Sequence, residues 1–520
     1  FAALAAGRAA APDATLPAPL ARLGIARVEN LRRAPGGGNR VGVFLLHSDA
    51  PGFDPHAAAR ALRAEPGVLG AAPNLHLQLD VVPNDPMLSQ EWWLGTSAAG
   101  VHAQAGWTHT TGDSGVVIAI MDTGVDTGHE DLAAKIWTNP GEIAGNGLDD
   151  DHNGFVDDVH GWDFGDNDND PDPEPMIDPS VGVDTGWHGT FVAGLAAAAT
   201  NNAAGIAGIA WGCRIMPLKV SNAAGDIPLA AVASAFDYAA AMRPAVLNMS
   251  FGTTDTSAAS VFQPLVNEAF DAGIVCVAAA GNTGTDSLSF PAACESVLAV
   301  ASTNAANDRS SFSNWGTYVD IAAPGETMWS TIARNYTYDD TSQLFFEFLW
   351  GWDGFTPYME NDGTSFAAPI VSGAAALVRT LAPGMPPQTV MQQLVVTGDV
   401  KLYDDPIGPK LDLDRALSGA LAVAPAAAPA RLALAPAPNP AAGALAIAYA
   451  LPVAGMVRLA IYDPAGRRVR VLASGRRAAG VYSAPWDLRD ASGARVPPGL
   501  YLASLEAAGA RASRRIAVVR

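Results

Sequence analysis

The sequence predicts an α/β fold in which helices cover both faces of a mostly parallel sheet. Two observations support this: short apolar runs alternate with helical stretches of small residues, and few polar residues interrupt the runs. The runs cover residues 116–121, 215–220, 245–249, 274–279 and 297–301, and the helical stretches cover 189–200, 230–241 and 365–381. Uninterrupted apolar strands are typical of a sheet buried on both faces, and strand–helix alternation is typical of parallel pairing.

Changes in composition divide the 520 residues into five predicted segments. Residues 1–39 are rich in Ala, Pro and Arg and are predicted to be a poorly structured leader remnant. Residues 40–82 form a small α+β segment, with strands at 41–46 and 68–79 and a helix at 55–64. The α/β domain follows over residues 83–420.

Beyond the α/β domain the pattern changes again. Residues 421–443 are rich in Ala and Pro, which predicts a semi-rigid linker. From residue 444 to 520, alternating strands are separated by turns at 463–466 and 496–499. A segment of this size and pattern predicts a small β-sandwich.

Charge and hydropathy exclude some functions. The net charge is −21, of which the segment from Pro436 onward carries about +8 and the rest about −29. The acidic part argues against nucleic-acid binding. No apolar run looks long enough to cross a bilayer, so no transmembrane segment is predicted. The small apolar residues around Arg8 are typical of the end of a secretory signal.

Three cysteines, Cys213, Cys276 and Cys294, do not form a disulfide framework. Each lies in or beside an apolar stretch, which favours buried, inert thiols. A Cys276–Cys294 bridge stays open, because the sequence does not fix the distance between their Cα atoms.

Three residues far apart in the chain predict nucleophilic catalysis. Asp122 closes the strand at 116–121, His188 begins a helical stretch, and Ser365 follows Gly363 at the start of another. A serine hydroxyl needs a neighbouring imidazole to take its proton, and the imidazole needs an acceptor on its other nitrogen. Each residue alone has an ordinary structural reading, as a turn aspartate, a core histidine or a helix N-cap serine.

Two other motifs are set aside. The segment Gly112–Gly115 reads Gly-Asp-Ser-Gly, but a histidine and an aspartate would have to precede it for the chymotrypsin order. We interpret it as a turn before the Asp122 strand. No Gly-x-Ser-x-Gly elbow occurs, which argues against a lipase or esterase.

The three segments resemble those of the subtilisin-like serine proteases, whose catalytic residues follow the same order, Asp…His…Ser. The resemblance extends over roughly residues 85–420 and departs from the common pattern at Phe366, where Met is usual, and at Phe191, where many members have histidine. It implies a subtilisin-like fold with Asp122, His188 and Ser365 as the triad. It also implies that Asn282 donates its amide to the oxyanion of the tetrahedral intermediate.

The resemblance further implies a substrate pocket. The segment Asn248–Gly252 is similar to the strand that lines the family's primary specificity pocket, with Ala279 and Ala280 on the opposite wall. The predicted substrate-binding residues are Ser250, Phe251, Gly252, Ala279 and Ala280. These residues predict a roomy, mainly apolar pocket and broad specificity.

Two acidic regions predict structural calcium. Asp149, Asp151 and Asn153 alternate before Gly154 and Asp157, which resembles the first half of a calcium loop, although His160 stands at the twelfth place and excludes an EF-hand. A solvated acidic loop is the alternative. Independently, Asp85, Asp131 and Asn202 resemble the family's high-affinity calcium site.

Three accessory regions complete the prediction. Residues 40–82 resemble the family's inhibitory pro-segment, with self-cleavage expected between Asn74 and Asn84; a permanent accessory subdomain is the alternative. The aromatic-rich segment Asn335–Asn361 is longer than the family's usual connection. It is interpreted either as a lid or rim of the substrate cleft or as a self-packed surface insertion. The C-terminal segment resembles the immunoglobulin-like domain first named in flagellar hook-cap proteins, which suggests contact with the cell surface or with secretion machinery.

Together these features predict a secreted or cell-surface bacterial serine endopeptidase that acts on proteins or peptides and is inhibited by its own pro-segment. Two alternatives stay open. One is a binding or scaffold protein that keeps the fold without turnover, and the other is a processing protease of narrow specificity.

Overall fold

The computed structural model describes most of the chain and divides it into two units, Phe1–Leu79 and Asp80–Arg520. The described residues are 18–30, 44–50, 53, 55–65, 68–71, 81–179, 182–222, 224–401, 403–422, 432–437, 440–441, 445–452, 455–477, 480–491, 493–507 and 509–519.

In chain order the α-helices are α1 (Ala18–Arg22), α2 (Pro55–Arg63), α3 (Ala103–Gly106), α4 (His188–Ala197), α5 (Leu229–Met242), α6 (Ala259–Asp271), α7 (Asp340–Leu349), α8 (Thr364–Leu381), α9 (Pro387–Thr397) and α10 (Leu413–Ala422). The strands are β1 (Arg27–Asn30), β2 (Phe44–His47), β3 (Val117–Asp122), β4 (Trp162–Asp163), β5 (Ile177–Asp178), β6 (Val183–Asp184), β7 (Arg214–Lys219), β8 (Val246–Met249), β9 (Val275–Ala279), β10 (Val297–Thr303), β11 (Ile321–Pro324), β12 (Met328–Thr331), β13 (Tyr358–Asn361), β14 (Ala433–Ala437), β15 (Leu445–Leu451), β16 (Gly455–Tyr462), β17 (Arg468–Arg477), β18 (Gly480–Trp486), β19 (Gly499–Ala507) and β20 (Ala510–Val518).

The first unit contains a two-stranded antiparallel sheet of β1 and β2 and the helices α1 and α2. Leu20, Ile25 and Leu62 form its small buried core. Helix α1 and strand β1 differ from the prediction of a poorly structured leader over residues 1–39, because Leu20 and Ile25 bury apolar side chains there. Most of the predicted strand at 68–79 lies outside the described residues.

A seven-stranded parallel sheet is the centre of the second unit, with strand order β11-β10-β9-β8-β3-β7-β4. Strands β3, β8, β9 and β10 are buried almost throughout, as their apolar runs predict. The two large core clusters of this unit lie on its opposite faces, one built around α4 and α8 and the other around α5 and α6. The predicted α/β class is confirmed.

Helix α8 corrects one prediction. Among the described residues it is the helix long and apolar enough to cross a membrane by length and composition, although no such run was expected. Its apolar window is 83% buried inside the protein. Helix α8 packs against α4 and against the central strands, so its hydrophobicity serves the core.

The C-terminal part is a β-sandwich. A three-stranded sheet (β14-β15-β18) faces a four-stranded sheet (β17-β16-β19-β20), and all the pairs are antiparallel. Their inner side chains form one core that includes Trp486 and Tyr501. Strand β14 lies inside the segment predicted as a linker, because Leu434 is buried in this core.

All three cysteines are buried and free, so the bridge between Cys276 and Cys294 that the sequence left open is not formed. Burial raises the pKa of both these thiols to about 12, which keeps them protonated at neutral pH.

Candidate active site

Asp122 and His188 are joined at one edge of the central sheet. Asp122 is the last residue of β3, and His188 is the first residue of α4. The distance between His188 Nδ1 and Asp122 Oδ1 is 2.7 Å, and the backbone N–H of Thr123 also donates to Oδ1. Asp122 is only 2% exposed, whereas the His188 side chain is 21% exposed. The carboxylate therefore fixes the Nδ1–H tautomer and leaves Nε2 available as a base.

Ser365 lies in the first turn of α8 and is half-buried. Its hydroxyl donates to the carbonyl of Ser250 at 2.9 Å, and the Ser250 hydroxyl donates back to the Ser365 carbonyl at 2.7 Å. The second bond follows from the sequence, because Pro369 has no N–H to offer that carbonyl within the helix.

His188 and Ser365 are neighbours in this site. The ring of His188 lies 5.5 Å from that of Phe366, the residue after Ser365. Within the described residues, no hydrogen bond joins the two catalytic candidates. Such bonds in unliganded enzymes are often long and tighten when substrate binds.

Asn282 is held beside the start of α8. Its Oδ1 accepts hydrogen bonds from the backbone N–H of Thr364 at 2.9 Å and from the Thr364 hydroxyl at 2.7 Å. Because the oxygen is engaged, the Nδ2 donors of this exposed side chain point away from Thr364. Gly281, at φ +104°, makes the turn into this position and donates its N–H to the Thr364 hydroxyl.

The predicted substrate-binding residues follow two neighbouring strands. Ser250, Phe251 and Gly252 come after β8, and Ala279 and Ala280 lie at the end of β9. Met249 is paired with Ala278, so the two segments leave the sheet side by side. Ser250, Ala279 and Ala280 are buried, Gly252 is exposed, and Phe251 packs partly into a core cluster.

The structure brings Asp85, Asp131 and Asn202 together. Asn202 Nδ2 donates to Asp131 Oδ1 at 2.8 Å, and its backbone N–H donates to Asp85 at 3.2 Å. Asp85 and Asp131 are buried. Sequence reasoning missed a third carboxylate here, Glu91, which is 3% exposed. Burial raises the pKa of Glu91 well above its usual value, and the charges of Asp85 and Asp131 raise it further.

The acidic loop is arranged differently from its prediction. Asp151 joins Glu142 and Asp158, with ligand oxygens that all lie within 4.8 Å of one another. Asp149 instead accepts from the backbone N–H groups of Asn153 and Gly154. Glu142 lies outside the acidic run on which the prediction of a calcium loop rests, which begins at Asp149.

The other predicted ligands of this loop have protein partners. Asp157 accepts from the backbone N–H groups of Gly145 and Gly147, and Asn153 Nδ2 donates to Asp158 at 2.9 Å. Burial raises the pKa of Asp158. Among the described residues, Glu142 Oε2 is buried without a hydrogen-bond partner. Acidic groups that could hold a metal ion are therefore present.

A further group of potential ligands, His102, Asp399 and Asp412, is already neutralised by protein cations. Lys410 lies 3.4 Å from Asp399, and Arg415 lies 2.6 Å from Asp412. Their charges leave little for a metal to offset.

Comparison with known proteins decides the family. The model of the subtilase family matches residues 113–411, more than half of the chain. The chain belongs to the subtilase family. In this subtilase, residues 441–511 match the FlgD Ig-like domain, so both predicted resemblances are confirmed.

Named relatives of this subtilase are proteases. It is 36% identical over 335 residues to the "Extracellular protease" of Xanthomonas campestris pv. campestris, covering 62% of this chain and 54% of the relative. It is 36% identical over 296 residues to "Thermitase" of Thermoactinomyces vulgaris, covering 57% and 85%. The chain thus spans about half the length of the Xanthomonas relative.

A solved structure also matches. A protease from Pseudoalteromonas arctica covers 65% of this chain over 100% of its own length, with a TM-score of 0.52 and 27% sequence identity. The likeness covers a region of the size of the α/β domain. It supports a shared α/β fold over that region.

Proposed function

We propose that this subtilase is a secreted serine endopeptidase that hydrolyses peptide bonds through an acyl-enzyme. The observation that carries the proposal is the 2.7 Å hydrogen bond between His188 Nδ1 and Asp122 Oδ1, formed beside the helix that begins at Thr364. Membership of the family and the names of the relatives support it.

In the proposed mechanism, the Ser365 Oγ attacks the scissile carbonyl while His188 Nε2 takes the hydroxyl proton. Asp122 holds the Nδ1–H and stabilises the imidazolium that forms. The oxyanion accepts from Asn282 Nδ2 and from the backbone N–H of Ser365, which lies in the first turn of α8 and has no acceptor within the helix. His188 then gives its proton to the leaving amine, and water repeats the sequence to release the acid.

The substrate side chain on the N-terminal side of the scissile bond is proposed to bind between two walls. One wall is formed by Ser250, Phe251 and Gly252, and the other by Ala279 and Ala280. Small residues on the β9 side support a roomy apolar pocket and broad specificity. Protein and peptide substrates follow from this assignment. A narrow processing specificity is the alternative, and digestion of a peptide library would separate the two.

Structural calcium is proposed at both acidic clusters. Asp85, Glu91, Asp131 and Asn202 would hold one ion, and Glu142, Asp151 and Asp158 another. Most of these carboxylates are buried, and among the described residues Glu142 Oε2 has no hydrogen-bond partner; both features fit a hard cation with oxygen ligands. Bound calcium would balance the charge of carboxylates that the fold buries close together.

The segment 40–82 is proposed as an inhibitory pro-segment that the enzyme removes itself. Support comes from its resemblance to the pro-segments of the family. Secretion is supported by relatives that are named extracellular proteases. The C-terminal domain is proposed to attach the protein to the cell surface or to secretion machinery. Only the FlgD Ig-like match supports this part of the proposal.

Intact mass of the purified protein beside Ser365→Ala, both prepared in calcium, tests the proposal. Loss of an N-terminal piece ending between Asn74 and Asn84 in the wild type alone would support nucleophile, activity and pro-segment together. If both proteins stay whole and neither cleaves a peptide library, the inactive-scaffold alternative is favoured. If both are trimmed alike, a host protease made the cut, and peptide hydrolysis by the two proteins decides the activity.

A further inference from the structure

Three departures from the family's usual pattern lie together in this structure. Phe366 follows the nucleophile, Phe191 lies one turn after His188 in α4, and the aromatic insertion Asn335–Asn361 precedes Ser365. The rings of Phe191 and Phe366 are 4.3 Å apart. Both rings also contact Trp187, at 5.6 Å and 6.4 Å.

The insertion reaches the catalytic residues through Trp187. Trp350 contacts the Trp187 ring at 5.6 Å, and Phe346 contacts it at 6.3 Å. Trp350 and Phe346 are themselves stacked, with centroids 5.1 Å apart. Trp187 is 3% exposed and directly precedes His188, whose ring lies 5.9 Å from it. A continuous set of aromatic contacts therefore runs from α7 to the imidazole and to the residue beside the nucleophile.

Polar contacts reinforce the same connection. The backbone N–H of Asp184 donates to the Ser342 hydroxyl of α7 at 2.7 Å. The Asp184 carboxylate accepts from the backbone N–H of Gly186, and the Asp184 carbonyl accepts from the indole N–H of Trp187 at 2.9 Å. The main chain of the turn that leads into His188 is thus hydrogen-bonded to the insertion at Asp184, and the other two bonds hold the turn itself together.

The other face of α7 is not used in these contacts. Leu344 is 67% exposed and Phe348 is 84% exposed. Phe348 offers a matched comparison with Trp350, because both are aromatic, lie two residues apart and differ in what they touch.

We infer that the insertion is a brace for the catalytic histidine: Trp350 and Phe346 position Trp187, and Trp187 positions His188 against Asp122. The inference rests on the proposed function, because it assigns His188 as the base. Trp187, Phe346 and Trp350 are positioning residues and touch no reacting atom. Phe346 and Trp350 both contact Trp187, the residue before His188. A brace explains this arrangement, and a lid over the substrate does not.

Kinetics of Trp350→Ala, Trp350→Phe and Phe348→Ala test the brace, with a short chromogenic peptide and a whole protein as substrates. Trp350→Ala is expected to lower kcat about tenfold on both substrates with KM unchanged, because misplacing a catalytic group slows the chemical step. Trp350→Phe retains a ring against Phe346 and is expected to restore most of the rate. Phe348→Ala is expected to behave as the wild type.

Two further measurements separate positioning from folding. Titration of active sites with a serine-reactive inhibitor expresses kcat per competent site, so partial unfolding does not imitate the effect. The low-field proton NMR signal of the His188 Nδ1–H is expected to broaden in Trp350→Ala and to persist in Phe348→Ala.

An unchanged kcat per site in Trp350→Ala would overturn the brace, and so would a rise in KM confined to the protein substrate, which is the signature of a rim. Failure of the proposed function looks different, because the wild type itself would show no turnover. In that case the NMR comparison still decides whether Trp350 orders His188.

Discussion

Thr364→Val is predicted to slow catalysis through Asn282. Thr364 is fully buried, and its hydroxyl donates to Asn282 Oδ1 at 2.7 Å while accepting the backbone N–H of Gly281 at 3.1 Å. Valine keeps the shape of the side chain and removes both bonds. Asn282 then keeps only the backbone N–H of Thr364 at 2.9 Å to orient its amide.

The magnitude follows from these two bonds. A neutral hydrogen bond contributes about 1 kcal/mol, so the loss of the one that orients Asn282, the proposed oxyanion donor, corresponds to about a fivefold fall in kcat. Removing the Asn282 amide itself should cost more. In subtilisin, a member of the same family, the known contribution of such a donor to kcat is about 10²–10³.

Stability should also fall, by about 2 kcal/mol, because two hydrogen bonds are lost and the N–H of the half-buried Gly281 loses its acceptor. Guanidinium unfolding, measured in a Ser365→Ala background to prevent self-digestion, checks this value. Hydrolysis of a short peptide checks the rate. The two measurements are interpreted separately. The rate tests the bond to Asn282, and the stability tests the loss of both bonds.

A double-mutant cycle tests whether Thr364 acts through Asn282. If it does, Thr364→Val has no further effect on kcat once Asn282→Ala is present. Additive losses in the double variant would refute the reasoning and assign Thr364 a separate role.

Three further outcomes are expected. Chelation of calcium should lower the melting temperature more at pH 8 than at pH 5. Burial raises the pKa of Glu91 and of Asp158, so at acid pH protons neutralise these carboxylates and the cation is no longer needed to offset their charge. Equal losses at both pH values would contradict this. Burial lowers the pKa of Lys135 to about 8, below its usual 10.5, so folding is penalised by up to about 3 kcal/mol below pH 8 and the penalty disappears toward pH 10.5. Lys135→Met should therefore unfold at higher denaturant than its parent at pH 7, by a margin that shrinks at pH 10; a constant margin would show that the charge is not responsible. Trp486→Ala should destabilise the C-terminal sandwich by about 3–5 kcal/mol, since Trp486 is fully buried, while peptide hydrolysis persists; loss of hydrolysis would show that the α/β domain depends on the sandwich.

The central sheet could be predicted closely from the sequence, because strands buried on both faces leave an uninterrupted apolar run. The predicted run at 116–121 is observed as Val117–Asp122, and the run at 297–301 as Val297–Thr303. Asp122 was placed correctly at the end of its strand. Local pattern is sufficient where burial is symmetrical.

Long-range packing decided what the sequence did not reveal. Glu142 joins Asp151 and Asp158 only because the loop folds back on itself, and spacing within the acidic run does not show this. Likewise, Leu434 gives no local sign that the Ala- and Pro-rich segment around it supplies a strand to the sandwich. The inward packing of Trp350 and the exposure of Phe348 are also not distinguishable by residue type.

The separation of the candidate catalytic residues along the chain has a consequence for biosynthesis. Asp122 comes from β3, His188 from α4 and Ser365 from α8, and strand order in the sheet does not follow chain order. Non-local parallel pairing forms slowly, and the serine arrives last as the chain is made. The proposed hydrolytic activity is therefore expected only after the chain has been made as far as α8 and the sheet has assembled, and it does not need the C-terminal sandwich to be present.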